Sequence, residues 1–370
     1  MHLFKTAGEI VTGVGSVSCL GERAAALGSE VVVVTGRTAM RQAGTTDQVL
    51  ALLEAAGLEA GAFEEATHDP DVATVDAGRA FCRDVGCEVV VGLGGGSAMD
   101  AAKAIAGLAN EEAPTSEFHD GKPVTRPGLP LIAIPTTSGT GAEVTKNAVL
   151  SDRGRRMKKS IRADSMMPTV AIVDPQLTVS CPPGVTAASG MDALVQAIEA
   201  FTSVHASPLT DALAFAAAER LVLWLDVAFE DGANIEAREQ CAYGSLMAGM
   251  ALANARLGAV HGIAHPLGAR YGLEHGVVCG LLMPHVMRLN CEHVGDKYER
   301  LSRIAGGDII AFVEGMLERF GLRGALDAVT VPRDDFAAIA AESMPSGSLK
   351  ANPKKVTVED VVAILEALMR

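Results

Sequence analysis

The chain has 370 residues, with 45 acidic against 31 basic side chains, a formal charge of -14 and 49% hydrophobic residues. At roughly 100 to 200 residues per domain this length implies two domains or one large α/β unit, and the apolar fraction excludes a disordered or fibrous chain. The acidic balance opposes broad attraction to phosphate backbones or anionic lipid, which excludes nucleic acid and membrane as general partners.

The first half alternates β-branched runs with helical stretches. Ser29 to Thr35, Cys87 to Leu93, Leu129 to Ile134 and Thr169 to Val173 are apolar on both faces, as parallel strands under helices are. Thr46 to Ala56, Asp71 to Val85 and Ala98 to Leu108 carry apolar residues at helical spacing, so the pattern is a repeated βαβ. After Asp174-Pro175 and the break at Cys181-Pro182-Pro183-Gly184, the texture changes to alanine- and leucine-rich helix. Ala187 to Ser203, Pro208 to Leu225, Ile235 to Leu257 and Val358 to Met369 are examples. The expected division is 1–180 for an α/β, Rossmann-like domain and 181–370 for an all-α domain, with an active site in the cleft between them. Ser245 to Ala269, the most lipid-like stretch, is interrupted by Asn254, Arg256, His261 and His265 and reads as buried helix. Seven scattered cysteines without a CxxC pair oppose a disulfide framework or zinc finger, and nothing at the N-terminus reads as a secretion signal, so the cytoplasm is expected.

Two turns carry phosphate chemistry. Gly92-Leu93-Gly94-Gly95-Gly96-Ser97 follows a strand and opens a helix, where unpaired N–H groups and the positive dipole end favour an anion. It is neither GxGxxG nor a P-loop. Pro135-Thr136-Thr137-Ser138-Gly139-Thr140-Gly141 follows the next strand, with hydroxyl donors beside an expected helix start near Ala142. Read singly, the glycine turn is equally a tight strand-to-helix connection and the threonine-rich one is more often just a capped turn, but two at neighbouring strand ends favour a dinucleotide. At the end of the first strand, Gly36 and Arg37 stand where a carboxylate would hold a ribose 2′-hydroxyl, which leans towards NADP. The basic run Arg153, Arg155, Arg156, Lys158, Lys159 and Arg162 is either a solvated hairpin tip or the source of a lysine for cofactor phosphates.

In the helical half, Ser189-Gly190-Met191-Asp192 is expected to begin a helix, and His261-Gly262-Ile263-Ala264-His265 is followed by His275. A carboxylate with imidazoles suits a catalytic Fe(II) or Zn(II) site. The alternatives are a capping box between Ser189 and Asp192, and hydrogen-bonded core histidines.

With these residues assembled, the chain resembles the iron-containing, or group III, alcohol dehydrogenases over nearly its whole length. The resemblance is carried by GGGSAMDAAKA at Gly94 to Ala104, IPTTSGTGAEVT at Ile134 to Thr145, SGMDALVQAIEAF at Ser189 to Phe201 and HGIAHPLGARYGLEHG at His261 to Gly276. It implies a Rossmann-like domain followed by a helical domain, in the architecture of dehydroquinate synthase. It further implies that Gly95, Gly96, Ser97, Asp100, Thr136, Thr137, Thr140, Asn147 and Lys158 bind NAD or NADP, that Asp192, Gln196, His261 and His275 occupy the positions of metal ligands, and that His265 lies near substrate and nicotinamide. One departure stands out: the family usually has histidine where this chain has Gln196, and a neutral amide oxygen is a weak ligand for iron or zinc. The expected activity is reversible hydride transfer between an alcohol carbon and nicotinamide, with a small alcohol or aldehyde as substrate, a divalent metal, and a homo-oligomer, commonly a dimer. Alternatives are a metal-independent reductase like the maleylacetate reductases, which generally lack the aspartate kept here, a lyase like dehydroquinate synthase, and a nucleotide-binding protein without catalysis.

Overall fold

The computed structural model describes residues 3–155, 157–326, 329 and 331–369. The chain divides into two compact units: Thr6–Thr137 with Gly141–Cys181, and Pro182–Arg370 with Met1–Lys5 and Ser138–Thr140.

The first unit holds strands β1 (Glu9–Thr12), β2 (Glu30–Gly36), β3 (Glu59–Ala66), β4 (Val89–Gly94), β5 (Leu131–Pro135), β6 (Asn147–Asp152), β7 (Met157–Arg162) and β8 (Val170–Val173). Six of them form a parallel sheet in the order β1-β8-β5-β4-β2-β3. The antiparallel pair β6-β7 is a separate hairpin. The four strands expected from apolar runs are β2, β4, β5 and β8. β1 and β3 escaped that reading because they are edge strands: β3 is EAGAFEEA, half exposed and poor in β-branched residues. Helices α1 (Leu20–Ala25), α2 (Ala39–Gln42), α3 (Thr45–Ala55), α4 (Val72–Asp84), α5 (Gly96–Leu108) and α6 (Thr115–His119) accompany the sheet.

From β2 the chain moves outward to β3, whereas from β4 it moves the other way to β5, so connections diverge between β2 and β4. In parallel sheets that divergence opens a crevice at the carboxyl ends of the strands. The register Thr35↔Leu93 and Gly94↔Pro135 sets the ends of β2, β4 and β5 side by side at that point. Helix α5 leaves from it and is buried from Ala98 almost continuously to Leu108. Its alanines allow close approach to the sheet: a Cβ on Gly92 would lie 2.8 Å from the Ala102 Cβ. The helix expected to start near Ala142 is only a 3₁₀ turn, Ala142–Val144.

The second unit contains α7 (Pro183–Thr202), α8 (Pro208–Glu230), α9 (Ile235–Ala255), α10 (Ala259–Tyr271), α11 (His275–Asn290), α12 (Lys297–Ala305), α13 (Ile309–Arg319), α14 (Phe336–Ser343) and α15 (Val358–Leu368). Helix α7 begins at Pro183, not at Ser189 as expected, so the alternative of a capping box between Ser189 and Asp192 does not hold. Ser189 sits inside the helix with its hydroxyl donating to the Val185 carbonyl at 2.7 Å. The stretch Ser245 to Ala269 is likewise two helices, broken between Ala255 and Ala259. No helix among the described residues is long and apolar enough to cross a membrane.

The break is made by Arg256, which ends α9 at φ 66° and ψ -174°, a region otherwise almost confined to glycine. The turn it closes puts His261 on the first turn of α10. Relief of that strain, less the entropy that glycine adds to the unfolded chain, is worth about 1 kcal/mol. Arg256→Gly is therefore expected to raise the denaturant midpoint, and an unchanged or lower midpoint would show that the turn stores no strain.

Candidate functional site

In the sheet unit, Gly95 caps α5 in extended conformation, and Gly96, Ser97 and Asp100 occupy its first turns. Gly94 has φ 140°, which only glycine adopts readily. A Cβ on Gly95 would lie 3.3 Å from Thr137, and the Thr136 N–H donates to the Gly94 carbonyl at 3.0 Å, so the two turns form one backbone surface. Gly95, Gly96, Ser97, Asp100, Thr136 and Thr137 thus gather at the divergence of the sheet, while Thr140 belongs with the helical unit. Asn147 opens β6 opposite Arg162, and Lys158 lies opposite Ser151, so four ladder positions, about 13 Å, separate them.

The basic run does form a hairpin, and most of its charges are met by acids: Arg153 by Asp71, Arg155 and Lys159 by Asp120, and Lys158 by Asp69. Arg156 lies outside the described residues. Hydrogen bonds from His68 and Lys158 hold the Asp69 carboxyl well below the usual range. Arg37 pairs with Glu65 at 2.8 Å, with both side chains more than half exposed.

Beneath the turns lies Lys103, fully buried on α5. Its ammonium donates to the Ala142 carbonyl at 2.9 Å and to the Thr145 hydroxyl at 2.7 Å, tying down the segment that returns from the threonine-rich turn. Burial pushes Lys103 down to about 8 and the neighbouring Glu143 carboxyl up to about 7.

In the helical unit, Asp192, Gln196 and Glu199 lie at i, i+4 and i+7 on one buried face of α7. The Glu199 carboxylate accepts the Val260 N–H at 2.7 Å and the His261 Nδ1–H at 2.7 Å, capping α10 and orienting the imidazole together. This leaves His261 Nε2 facing Asp192 Oδ1 at 3.2 Å. His275, at the start of α11, places Nε2 3.8 Å from the same oxygen. Cys279, one turn further along α11, has Sγ 3.6 Å from His275 Nε2. One ligand atom from each of Asp192, His261, His275 and Cys279 lies within 4.8 Å of all the others. His265 stacks on His275 with centroids 5.2 Å apart.

Gln196 donates its amide N–H to Asp192 Oδ2 at 2.8 Å, while its buried Oε1 has no hydrogen-bond partner. Burial opposes the charge on Asp192, but the hydrogen bond from His261 and the adjacent imidazoles outweigh it and hold the carboxyl below its usual range. Burial likewise opposes imidazolium at His261, where the Cys279 sulfur and the Asp192 and Glu199 carboxylates prevail and raise the pKa well above the ordinary value. His275 is raised and the Cys279 thiol lowered within the same set. Such a group of charge-sharing acids and bases suits a cation, which takes the place of their protons. Ligand atoms within 4.8 Å of one another and an orphaned amide oxygen fit one as well.

Glu199 and Cys279 were not picked out from the sequence. The only signal for Glu199 was its i+7 spacing from Asp192 inside an apolar run, and for Cys279 its i+4 spacing from His275.

A family profile described as iron-containing alcohol dehydrogenase matches residues 7–175, and one for the C-terminal part of the Fe-containing alcohol dehydrogenase family matches residues 186–369. The chain belongs to the iron-containing alcohol dehydrogenase family. It is similar to the NAD-dependent methanol dehydrogenase of Bacillus methanolicus, at 33% identity over 96% of this chain and 97% of that one. It is also similar to the lactaldehyde reductase of Escherichia coli K12, at 34% identity over 95% of both. A crystal structure of 1,3-propanediol oxidoreductase superposes with a TM-score of 0.95 at 34% identity, covering the whole of each chain. This iron-containing alcohol dehydrogenase is accordingly an oxidoreductase of CH–OH groups, using a nicotinamide cofactor.

Two outcomes are expected. Glu143 keeps its proton up to about pH 7 in the folded chain but only to its ordinary 4.5 when unfolded, so stability falls as pH rises through that window. Lys103 loses its proton near 8 folded and at its ordinary 10.5 unfolded, so stability recovers above pH 8. Each limb amounts to at most about 3 kcal/mol. Denaturant titrations from pH 4.5 to 10 should show the acid limb vanish in Glu143→Gln, and a slope that survives would remove Glu143 as its source. The second concerns Gly276, where an added Cβ would collide with the Ala188 carbonyl oxygen on α7. Gly276→Ala is expected to cost about 1 to 3 kcal/mol by forcing α11 off α7, and a variant as stable as the parent would show the contact to be slack.

Proposed function

We propose that this alcohol dehydrogenase interconverts small primary alcohols and aldehydes, holding the substrate oxygen beside Asp192, His261 and His275. The observation that carries this reading is the meeting of those three ligand atoms with His261 locked by Glu199, since a histidine whose Nδ1–H is given to a carboxylate presents Nε2 in fixed orientation. A divalent cation held there, iron or zinc, supplies Lewis acidity to an alcohol or carbonyl oxygen. Gln196 braces Asp192 through its amide N–H and keeps a neutral oxygen beside the site.

The sheet unit, 1–180 in our division, takes the nicotinamide dinucleotide, and 181–370 takes metal and substrate. Gly95, Gly96, Ser97 and Asp100 bind the pyrophosphate at the start of α5, Thr136, Thr137 and Thr140 add hydroxyl contacts, and Asn147 and Lys158 continue along the cofactor. Lys158 exchanges its Asp69 contact for cofactor when the dinucleotide binds. Gly36 carries no carboxylate to select a ribose 2′-hydroxyl, and the exposed Arg37–Glu65 pair costs little to open. NADPH is therefore accepted alongside NADH. The nicotinamide supplies the hydride chemistry. His265, half-buried against His275, passes the substrate's proton to solvent, a task imidazole suits because its two ring nitrogens can accept and donate a proton. The enzyme works in the cytoplasm as a homodimer.

The test is oxidation of NADH and NADPH by a panel of short aldehydes, before and after chelation, on protein whose particle mass is measured by light scattering. Turnover that disappears on chelation and returns with Fe(II) or Zn(II) is expected, at twice the chain mass. His265→Ala should lower turnover about 100-fold with cofactor affinity unchanged. Turnover that survives chelation would overturn the metal-dependent reading, and undiminished turnover in His265→Ala would remove the proton relay.

A further inference from the structure

We propose that Cys279 is itself a metal ligand, binding as thiolate, so that the cation is held by one carboxylate, two imidazoles and one sulfur. This rests on the metal-dependent reading above and extends it, because the family resemblance points to position 196 on α7 and assigns nothing to position 279 on α11.

The argument is geometric. His275 and Cys279 stand at i and i+4 on α11, so both side chains project from one face. Sγ lies 3.6 Å from His275 Nε2, and no two of the four ligand atoms are more than 4.8 Å apart. Zinc bonded to nitrogen or oxygen at about 2.0 to 2.1 Å and to sulfur at about 2.3 Å has tetrahedral ligand neighbours about 3.3 to 3.6 Å apart. Three of the six separations, 3.2, 3.6 and 3.8 Å, bracket those edges before any adjustment, and the other three stay within 4.8 Å. Cys279 is completely buried, yet its sulfur faces imidazoles and a carboxylate where an inert core thiol would face hydrocarbon.

Gln196 explains why a sulfur is wanted. Its amide N–H is committed to Asp192, so the residue standing in the histidine position offers at most a neutral oxygen. One strong ligand is missing from α7, and one is present on α11. On binding, the S–H bond breaks, the sulfur electron pair goes to the cation and the proton leaves to solvent, with no change of oxidation state. A thiolate moves the preference of an Asp-His-His set from Fe(II) towards Zn(II).

The test uses the full chain, stripped by chelation and reloaded with one equivalent of Co(II) as a spectroscopic probe. A thiolate-to-cobalt charge-transfer band in the near ultraviolet is expected. It should vanish in Cys279→Ser and Cys279→Ala and persist in Gln196→Ala. Zinc affinity, read by competition with a chromophoric chelator, should fall roughly 10- to 100-fold in both Cys279 variants, while their metal-free circular dichroism and unfolding midpoints match the parent. Stoichiometric cobalt without the band, or a band that survives Cys279→Ala, would remove Cys279 and leave the metal-dependent reading standing. Failure to bind cobalt at all would remove both. Should the variants not fold, the presence or absence of the band in the parent protein decides.

Discussion

The buried carboxylate of Glu199 holds the helical unit's chemistry in place. One oxygen takes the Val260 N–H at the start of α10, where the helix dipole favours negative charge, and the other takes the His261 Nδ1–H. A charge this deeply buried survives only when its partners are complete, and removing one partner of such a pair costs about 3 to 5 kcal/mol. The same contact therefore fixes where α10 begins, which tautomer His261 adopts and which way Nε2 points. Asn352 adds to it by accepting the Ala259 N–H at 3.2 Å while pairing reciprocally with Asn290, so the end of α11 and the start of α10 share one polar network.

Small residues let the helices come close enough for that network to form. Gly258 leaves room for the Glu199 oxygen, which a Cβ would approach to 2.7 Å, and Gly276 lets α11 lie against the backbone of α7. Dense packing has two arrangements, in contact or apart, with little between. A methyl group at either glycine would thus act on ligand positions although neither glycine carries chemistry. In the sheet unit Gly92 and Ala102 bring α5 onto β4 in the same manner, and Lys103 adds an electrostatic tie from inside that helix to the chain beyond β5.

Gln196 shows how a site absorbs a substitution. In place of an imidazole, the chain has an amide that gives its donor to Asp192, which steadies the carboxylate but leaves an oxygen unsatisfied. The nearest strong donor atom to the ligand set then comes from another helix. Spacing on a single helix could not reveal that exchange.

The four apolar runs of the sheet, the change to helix after residue 180, and the two glycine- and threonine-rich turns were legible in the sequence, because each is a local pattern with a local cause. So was the set Asp192, His261 and His275, through motifs that carry the family. Edge strands β1 and β3 were not, since a strand covered on one side only needs no continuous apolar run. The end of a helix near Leu257 was legible, but the conformation of Arg256 that makes the break was hidden, because nothing in an alanine-rich stretch marks a non-glycine residue held at positive φ. Tertiary structure alone decided which groups share a proton or face a cation. Glu199, Cys279 and Asn352 lie up to 93 positions from the residues they serve, and only the tertiary packing around α7, α10 and α11 brings their polar atoms within the few ångströms over which hydrogen bonds and ligand contacts act.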